Sequence, residues 1–138
     1  GEAFALNNLG VVWRLTGEYQ KAFQALDKVL VISRALGDRG GETETLNERG
    51  TLYRVRGEFA EAEGCHRQAL EIAGAIASSW DEGQALAGLG RCAIATGRSA
   101  QGEDLLRKAH EIFQRIGAAD TQAILAELNA ATGPASTG

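Results

Sequence analysis

A set of residues recurs every forty positions along this 138-residue chain, and the period restricts the possible folds more than any other feature. A leucine, two glycines, a mostly aromatic position and an isoleucine align in three successive units. The first of the two glycines interrupts an otherwise helical pattern, at a cost of roughly 1 kcal/mol relative to alanine. Its recurrence indicates a structural requirement. The aligned positions are Leu6, Leu46 and Leu86; Gly10, Gly50 and Gly90; Trp13, Tyr53 and Ala93; Gly17, Gly57 and Gly97; Ile32, Ile72 and Ile112.

Each forty-residue unit has the pattern of a two-helix hairpin. In the first unit, apolar residues spaced three and four apart at residues 2–16, and again at 18–36, are typical of amphipathic helices. Gly17 separates these two stretches and stands where a helix ends in a left-handed residue, which glycine adopts without steric cost. Because one hairpin cannot bury its apolar face alone, the copies must stack on one another.

The repeats predict an all-α solenoid over most of the chain. The units are joined at residues 37–41, 78–82 and 117–120, where glycine ends the first and third hairpins, and Ser79 and Asp120 are candidate caps for the helices that follow. The predicted parts are hairpins at residues 2–37, 42–77 and 82–117, a capping helix at 120–131 and a disordered tail at 133–138.

The interior glycines are predicted to lie where the two helices of a hairpin cross. A glycine at a crossing lets the two backbones approach closely, and the packing gained there offsets the lost helix propensity. The residue expected opposite the glycine is small in every unit. These small residues are Ala22, Ala62 and Gly102.

Composition narrows the classes of function. Eighteen acidic residues outnumber fourteen basic ones, so no electrostatic attraction to nucleic acid or to an anionic membrane is expected. No apolar run approaches the ~20 residues that cross a bilayer. Cys65 and Cys92 are far apart and lack metal-ligand spacing, so we expect neither a disulfide framework nor a metal site. We therefore expect the protein to be cytoplasmic.

The aligned columns resemble the tetratricopeptide repeat (TPR), in which apolar, glycine, aromatic and alanine positions recur through a helix-turn-helix unit. The resemblance extends over residues 4–116, although Arg49 and His66 stand at positions that are apolar in the family, and Ala93 and Ser99 weaken the third unit. The first unit matches at Leu6, Leu9, Gly10, Trp13, Gly17, Tyr19, Ala22, Leu26 and Val29.

A period of forty residues, together with the sequence LNNLG, is similar to the long-repeat TPR subgroup of kinesin light chains and large bacterial regulators. The resemblance implies a right-handed superhelix whose concave wall, built from the first helices, binds a peptide or protein segment. The chain also lacks methionine, begins at Gly1 and is rich in arginine, alanine and glycine. We therefore expect a fragment of a larger bacterial regulator of signalling or transcription.

The residues predicted to line the concave wall lie off the packing face of each first helix. Asn7 and Asn47, forty residues apart, would present amides to a peptide backbone. Arg14, Arg54 and Arg91 would bind carboxylates. Simple solvation of exposed polar side chains is the alternative. The candidate peptide-binding residues are Asn7, Val11, Arg14, Glu44, Asn47, Thr51, Arg54, Gln84 and Arg91, with Phe4, Ala87 and Ile94 at equivalent repeat positions.

Catalysis finds no support in the sequence. There is no phosphate-binding loop, paired-histidine zinc helix or nucleophile elbow, so we predict no enzyme activity and no cofactor. Cys65 and His66 invite a metal hypothesis with His110, but adjacent helical residues diverge and no third ligand is evident, which favours a buried thiol and a packed imidazole. Arg49 has two open interpretations, an ion pair with Glu48 or Glu18, or an aliphatic stem in place of a core leucine.

The two ends of the stack are expected to differ. The seventh helix, with Ile124, Leu125 and Leu128 on one side, would cover the trailing end. The first helix would leave apolar side chains uncovered, so the alternative to peptide binding is a structural segment that self-associates through this N-terminal helix. The residues expected to be uncovered are Phe4, Val11, Val12 and Leu15.

Overall fold

The computed structural model describes residues 2–117 and 121–132, apart from the side chains of Phe4, Thr121 and Thr132. The described residues form seven α-helices and no strand. The helices are α1 (Glu2–Leu15), α2 (Tyr19–Leu36), α3 (Arg39–Val55), α4 (Phe59–Ala75), α5 (Ser79–Ala95), α6 (Ser99–Ile116) and α7 (Thr121–Thr132). The predicted disordered tail at 133–138 and the candidate cap Asp120 lie outside the described residues.

The helices form three hairpins that stack in chain order, and α7 closes the stack. Within the hairpins α1 packs on α2, α3 on α4 and α5 on α6, while α2 against α3, α4 against α5 and α6 against α7 join the units. The first helices of successive hairpins also touch, whereas the second helices make no comparable contact in the described part of the chain. The stack therefore bends toward the first helices. The all-α repeat architecture predicted from the forty-residue period is confirmed.

The core is continuous because each cluster of buried side chains spans a junction between units. Leu26 and Leu52 pack together where α2 meets α3. Leu46 and Ile72 lie with residues of α2 and α5 in a second cluster. The third cluster joins the last hairpin to α7. Its members are Leu86, Ala87, Leu106, Ala109, Ile112, Phe113, Ile124 and Leu128.

The last helix covers the trailing end, with one departure from the prediction. Ile124 and Leu128 on α7 are buried, at 1% and 8% exposed, whereas Leu125 is 38% exposed. Burial of the first two side chains supplies the apolar contact of the capping helix. None of the described helices has the length and apolar character that a membrane span requires.

Glycines in the left-handed conformation end the helices at the predicted places. Gly17, Gly57 and Gly97, between the two helices of each hairpin, have φ angles of +82°, +79° and +86°. Gly37 and Gly117 end α2 and α6 with φ angles of +68° and +70°. A side chain at these angles is strained against the backbone, which favours glycine. The equivalent position after the second hairpin is Ala77, which adopts the left-handed conformation with a φ angle of +55°.

Side-chain caps start two of the hairpins. Asp38 accepts a hydrogen bond from the Gly41 amide at 2.9 Å, and Ser78 accepts one from the Asp81 amide at 3.4 Å. The prediction of Ser79 as a cap was wrong by one residue, because Ser79 is already the first residue of α5.

Close helix crossing explains the interior glycines. A Cβ atom built on Gly10 would lie 3.0 Å from the side chain of Leu26, and one on Gly90 would lie 3.0 Å from the carbonyl oxygen of Gly102. A Cβ on Gly50 would lie 2.5 Å from the ring of His66. The close approach is confirmed. The second helix presents Leu26 and Ala22 to Gly10 and presents Leu106 and Gly102 to Gly90, whereas Gly50 faces the ring of His66.

Candidate protein-binding groove

We define the concave wall as the exposed face of α1, α3, α5 and α7. Polar side chains on this wall form contacts between neighbouring helices. Asn7 on α1 donates from Nδ2 to Oε1 of Glu44 on α3 at 3.0 Å. The Arg14 guanidinium pairs with Glu48 on α3 at 2.5 Å. Three of the predicted binding residues, Asn7, Arg14 and Glu44, therefore lie together on this wall and link α1 to α3.

Asn47 occupies the repeat position of Asn7 but has a different environment. Its side chain is largely buried, at 9% exposed. Nδ2 donates to the backbone oxygen of Asp81 on α5 at 3.3 Å, and Oδ1 lies 2.9 Å from Nδ1 of His66 on α4. The Asn47 amide therefore connects α3, α4 and α5, and both of its polar atoms bond to other residues of the protein.

The His66 ring fills the space where α3, α4 and α5 meet. It is 2% exposed, and a Cβ atom built on Gly50 or Gly88 would lie within 2.5 Å of the ring. Because the amide nitrogen of Asn47 is already committed to Asp81, its oxygen accepts the Nδ1 proton of His66. The opposite ring atom, Nε2, is then an unprotonated acceptor with no hydrogen-bond partner among the described residues.

The surroundings of His66 oppose its protonation. Burial is the main cause, and the positive charges of Arg91 and Arg54 add to it, so the pKa of His66 falls to about 4. At neutral pH the ring is uncharged. His66, which stands at a position that is apolar in the family, is therefore a packed neutral imidazole. This agrees with the interpretation favoured above over a metal ligand.

Arg91 links the third hairpin to the capping helix. Its Nε and Nη2 atoms each donate to a carboxylate oxygen of Glu127 on α7 at 2.8 Å. A fork of this kind has the preferred geometry for an arginine and a carboxylate. α7 thus extends the concave wall beyond α5 and occupies the place that the first helix of a fourth hairpin would have.

Arg54 is the arginine of the wall that has no direct ion pair in the described structure, although the charge of Glu127 also acts on it. It lies with Arg14 and Arg91 along the C-terminal parts of the first helices, and among the described residues it forms no salt bridge. Burial, then the charge of Arg91, lowers the pKa of Arg54. An open depression of about 370 Å³ adjoins it. The depression is lined by Arg54, Arg91, Ile94, Ala95, Glu127, Ala130 and Ala131.

The N-terminal parts of α3 and α5 enclose a second cavity of about 200 Å³, here called the acidic cavity. Glu44 and Asp81 have no cationic partner in the described structure, since Glu44 accepts from Asn7 and Asp81 from the Ser78 hydroxyl. Burial and the Asp81 charge raise the pKa of Glu44. The lining residues are Glu44, Asn47, Glu48, Thr51, His66, Trp80, Asp81, Gln84 and Arg91.

Three predicted residues remain to be placed, Val11, Thr51 and Gln84. Val11 is half-buried on α1. Thr51 lines the acidic cavity and donates from its hydroxyl to the carbonyl oxygen of Asn47 at 3.1 Å. Gln84 lines the same cavity from α5. Of the predicted residues, Glu44 lies toward the N-terminal ends of the helices and the three arginines toward the C-terminal ends, while Asn47 is buried beneath the wall.

Sequence reasoning missed four residues of the wall. Glu48, Asp81 and Trp80 line the acidic cavity, and Glu127 pairs with Arg91. The signal for Glu48 was its position one helical turn after Glu44, which places both on one face. Glu127 required knowing that α7 extends the wall.

Arg49 joins the first two hairpins on the side of α2. It forms an ion pair with Asp27 on α2 and donates to the hydroxyl of Tyr53 at 3.3 Å. Its guanidinium lies 5.8 Å from the ring centroids of Phe23 and of Tyr53. The partner is therefore Asp27 on the preceding helix, and neither Glu48 nor Glu18 fills that role.

Within the described residues, no cluster of three histidine, cysteine or acidic side chains has the arrangement of a metal site. Cys65 and Cys92 are both free thiols. Burial raises the pKa of each thiol, so both are poor nucleophiles at neutral pH.

The stacked hairpins and their shared wall place the chain in the class of helical-repeat solenoids. A profile described as tetratricopeptide repeat matches residues 1–75. The chain belongs to the tetratricopeptide-repeat family. Domains of this family generally act as protein-protein interaction modules, and related repeats are typically non-catalytic scaffolds. A comparison with curated proteins found no match.

Solved structures support the fold assignment. A putative kinesin light chain from Podosopora anserina with nearly identical TPR-like repeats is 18% identical, with a TM-score of 0.78 over 95% of this chain and 66% of that one. A point variant of the same Podosopora anserina protein gives 19% identity and a TM-score of 0.75, over 92% of this chain and 63% of that one. BtubC (BKLC) from P. vanneervenii is 17% identical, with a TM-score of 0.78 over 94% and 54%. The chain thus spans two thirds or less of these structures.

Proposed function

We propose that the concave wall binds a segment of a partner protein and that Arg54 anchors a carboxylate of that segment. The observation that carries the proposal is the lack of a direct ion pair at Arg54 among the described residues. Arg14 and Arg91, on either side, are paired with Glu48 and Glu127, whereas Arg54 has no salt bridge among the described residues.

A bound carboxylate would relieve the electrostatic cost at Arg54. Partial burial and the like charge of Arg91 both act against the charged guanidinium, which nevertheless stays protonated because arginine does not lose its proton in proteins. A hydrogen bond to a charged group contributes about 1.5–3 kcal/mol. The adjoining depression, with Ile94 and Ala130 in its lining, fits a small apolar side chain next to the carboxylate.

The other predicted residues divide into two proposed roles. Asn7, Val11, Glu44, Thr51 and Gln84 extend the binding surface from Arg54 toward the N-terminal ends of the helices. Asn47, Arg14 and Arg91 hold neighbouring helices at the spacing of the groove through their contacts with Asp81, Glu48 and Glu127.

A display library of random twelve-residue peptides tests the proposal without knowledge of the natural partner. Peptides selected on the unmodified chain should be enriched in aspartate and glutamate, and Arg54→Gln should weaken their binding about 10- to 100-fold, the loss of one charge-assisted hydrogen bond. Binding is measured by fluorescence anisotropy of the labelled peptides.

Arg107→Gln provides the matched control, because it removes the same charge from an exposed position on α6, outside the wall. Its binding should equal that of the unmodified chain, and both variants should keep the parent melting temperature within a few degrees. Equal peptide affinity for the Arg54 and Arg107 variants would contradict the proposal.

We also infer that the module belongs to a larger cytoplasmic regulator of bacterial origin. The inference is supported by the excess of arginine over lysine and by the abundance of alanine and glycine, which are typical of GC-rich bacterial genomes. The open reading frame that encodes these residues tests it, since a frame of eukaryotic origin, or one without a further regulatory domain, would contradict it.

Self-association through α1 is a second candidate function, favoured by one observation. Leu9 and Val12 are 42% and 51% exposed, whereas Leu52 and Cys92, one and two repeats after Val12, are fully buried. Leu52 packs against Leu26 on the preceding second helix. No described helix covers α1 in the same way, so a second copy of the chain could cover it.

Analytical ultracentrifugation over a range up to millimolar concentration tests this second function. A reversible dimer should appear and should be abolished by Val12→Glu, while Glu71→Gln, an exposed change on α4, should leave it intact. A strictly monomeric chain at all concentrations would contradict self-association, whatever the outcome of the peptide experiment.

A further inference from the structure

The junction between the second and third hairpins contains a titratable group that the proposed function does not use. His66 extends from α4 into the space between α3 and α5 and is 2% exposed. Its hydrogen bond to Asn47, and the bond from Asn47 to the backbone oxygen of Asp81, form a continuous link through the three helices. The first junction has no equivalent, because Leu26 occupies the repeat position of His66.

The neutral ring fits this space and the charged ring does not. A proton on Nε2 would need an acceptor, and the described residues offer none at that atom. While α3 and α5 are in contact, the backbones of Gly50 and Gly88 on these helices hold the ring in place. A buried donor without an acceptor costs several kcal/mol when it also carries charge.

Charged groups around the ring define where an imidazolium would move. Arg54 on α3 and Arg91 on α5 both repel it. On α4 itself, Glu63 is already paired with Arg67 and Arg98. Among the described carboxylates that line the acidic cavity with His66, Glu44 and Asp81 form no salt bridge. Glu48 lines the same cavity but is held by Arg14.

We propose that His66 is a proton-controlled latch between the second and third hairpins. While neutral, it holds α3, α4 and α5 together through Asn47. On gaining a proton, it leaves Asn47, turns toward Glu44 and Asp81 in the acidic cavity, and loosens α5 from α3. Because these two helices form adjacent strips of the concave wall, acidification changes the spacing of the groove.

The direction of the pH effect follows from the two protonation equilibria. A histidine in the unfolded chain has a pKa of about 6.5, whereas His66 in the folded chain has a pKa of about 4. As the pH falls through this interval, the unfolded chain binds the proton first. The ratio of folded to unfolded chain should therefore fall about tenfold for each pH unit in the interval.

Chemical denaturation between pH 7 and pH 5 tests the linkage with two substitutions at one site. His66→Leu installs the residue found at the equivalent positions of the first and third units, and His66→Gln keeps an amide donor for Asn47 without a titratable proton. Relative to both variants, the unmodified chain should lose about tenfold in its folded ratio per pH unit below 6.5. If the histidine protein and the two variants lost stability in parallel, the latch would be overturned.

An NMR titration tests the conformational part of the proposal and does not depend on any partner. His110→Gln removes the second imidazole signal, so the remaining ring resonance reports His66. Its midpoint should lie near 4, and backbone amides of α3 and α5 should shift with the same midpoint while those of α1 stay unchanged. A midpoint near 6.5, equal shifts in α1 and α5, or complete unfolding before the ring titrates would each contradict the latch.

Discussion

The two junctions between hairpins have the same architecture but different chemistry. At the first, Asn7 and Arg14 on α1 contact Glu44 and Glu48 on α3 through side chains at the surface of the wall. At the second, the equivalent Asn47 is buried beneath the wall and contacts a histidine and a backbone oxygen. The same repeat position therefore makes a surface contact in one unit and a buried contact in the next.

The residue beneath the asparagine accounts for the difference. Leu26 in the first hairpin offers no polar group, so Asn7 turns to its neighbour on the surface. His66 in the second hairpin offers Nδ1 and draws Asn47 inward. The ring also needs room, and position 88 is glycine where the first junction has Glu48 at the equivalent position. Two positions, on α4 and α5, thus differ between the junctions, while the asparagine of the first helix is the same in both.

The largest expected effect that separates the junctions is overpacking at the second. Gly88→Ala should destabilise the chain by about 2–3 kcal/mol, because the new methyl group would overlap the His66 ring. Gly10→Ala should change stability by less than about 1 kcal/mol, since the end of the flexible Leu26 side chain can move and alanine favours the helix. Urea denaturation measures both. In a His66→Ala background the Gly88 substitution should cost much less, and an unchanged cost there would refute overpacking against the ring.

Removal of the two asparagines should have the next largest effect. Asn47→Ala should cost about 2 kcal/mol, because it leaves the His66 Nδ1 donor without an acceptor in a buried place and removes the link to the Asp81 carbonyl oxygen. Asn7→Ala should cost under about 0.5 kcal/mol, as water replaces an exposed contact. Thermal and urea unfolding check the pair. Equal losses would mean that the asparagines have the same role after all.

The smallest effect concerns the ion pair that extends the wall to α7. A double-mutant cycle with Arg91→Gln and Glu127→Gln should give a coupling energy of about 1 kcal/mol. This is smaller than the coupling energy of a buried ion pair, because the two side chains are 27% and 34% exposed. The exposed Lys108–Asp104 pair on α6 is the control and should give a coupling near zero. A coupling at Arg91 no larger than that of the control would show that α7 is not held to the wall by this contact.

Much of the fold could be predicted because it depends on local and periodic features. Gly17, Gly57 and Gly97 end helices through backbone geometry alone, which a single residue type reveals. The spacing of apolar residues placed both helices of the first hairpin to within one residue, whereas α3 and α5 begin three residues before the predicted starts of their hairpins at 42 and 82. Stacking followed because an isolated hairpin cannot cover its own apolar face.

The site was less predictable because its chemistry depends on contacts between separate helices. The period placed Asn7 and Asn47 in register, but their different environments depend on His66, which another helix brings to one of them. Likewise, Arg54 and Arg91 were predicted alike. Only the position of Glu127 on α7 shows that Arg91 is paired, while Arg54 has no salt bridge in the described structure.

The most direct test of a binding groove on the concave wall is an amide chemical-shift map recorded while a peptide selected on the unmodified chain is added. If the concave wall is the binding groove, the perturbed amides should cluster on α1, α3, α5 and α7, with the largest shifts around Arg54. Shifts confined to α2, α4 and α6, on the opposite face of the stack, would contradict it.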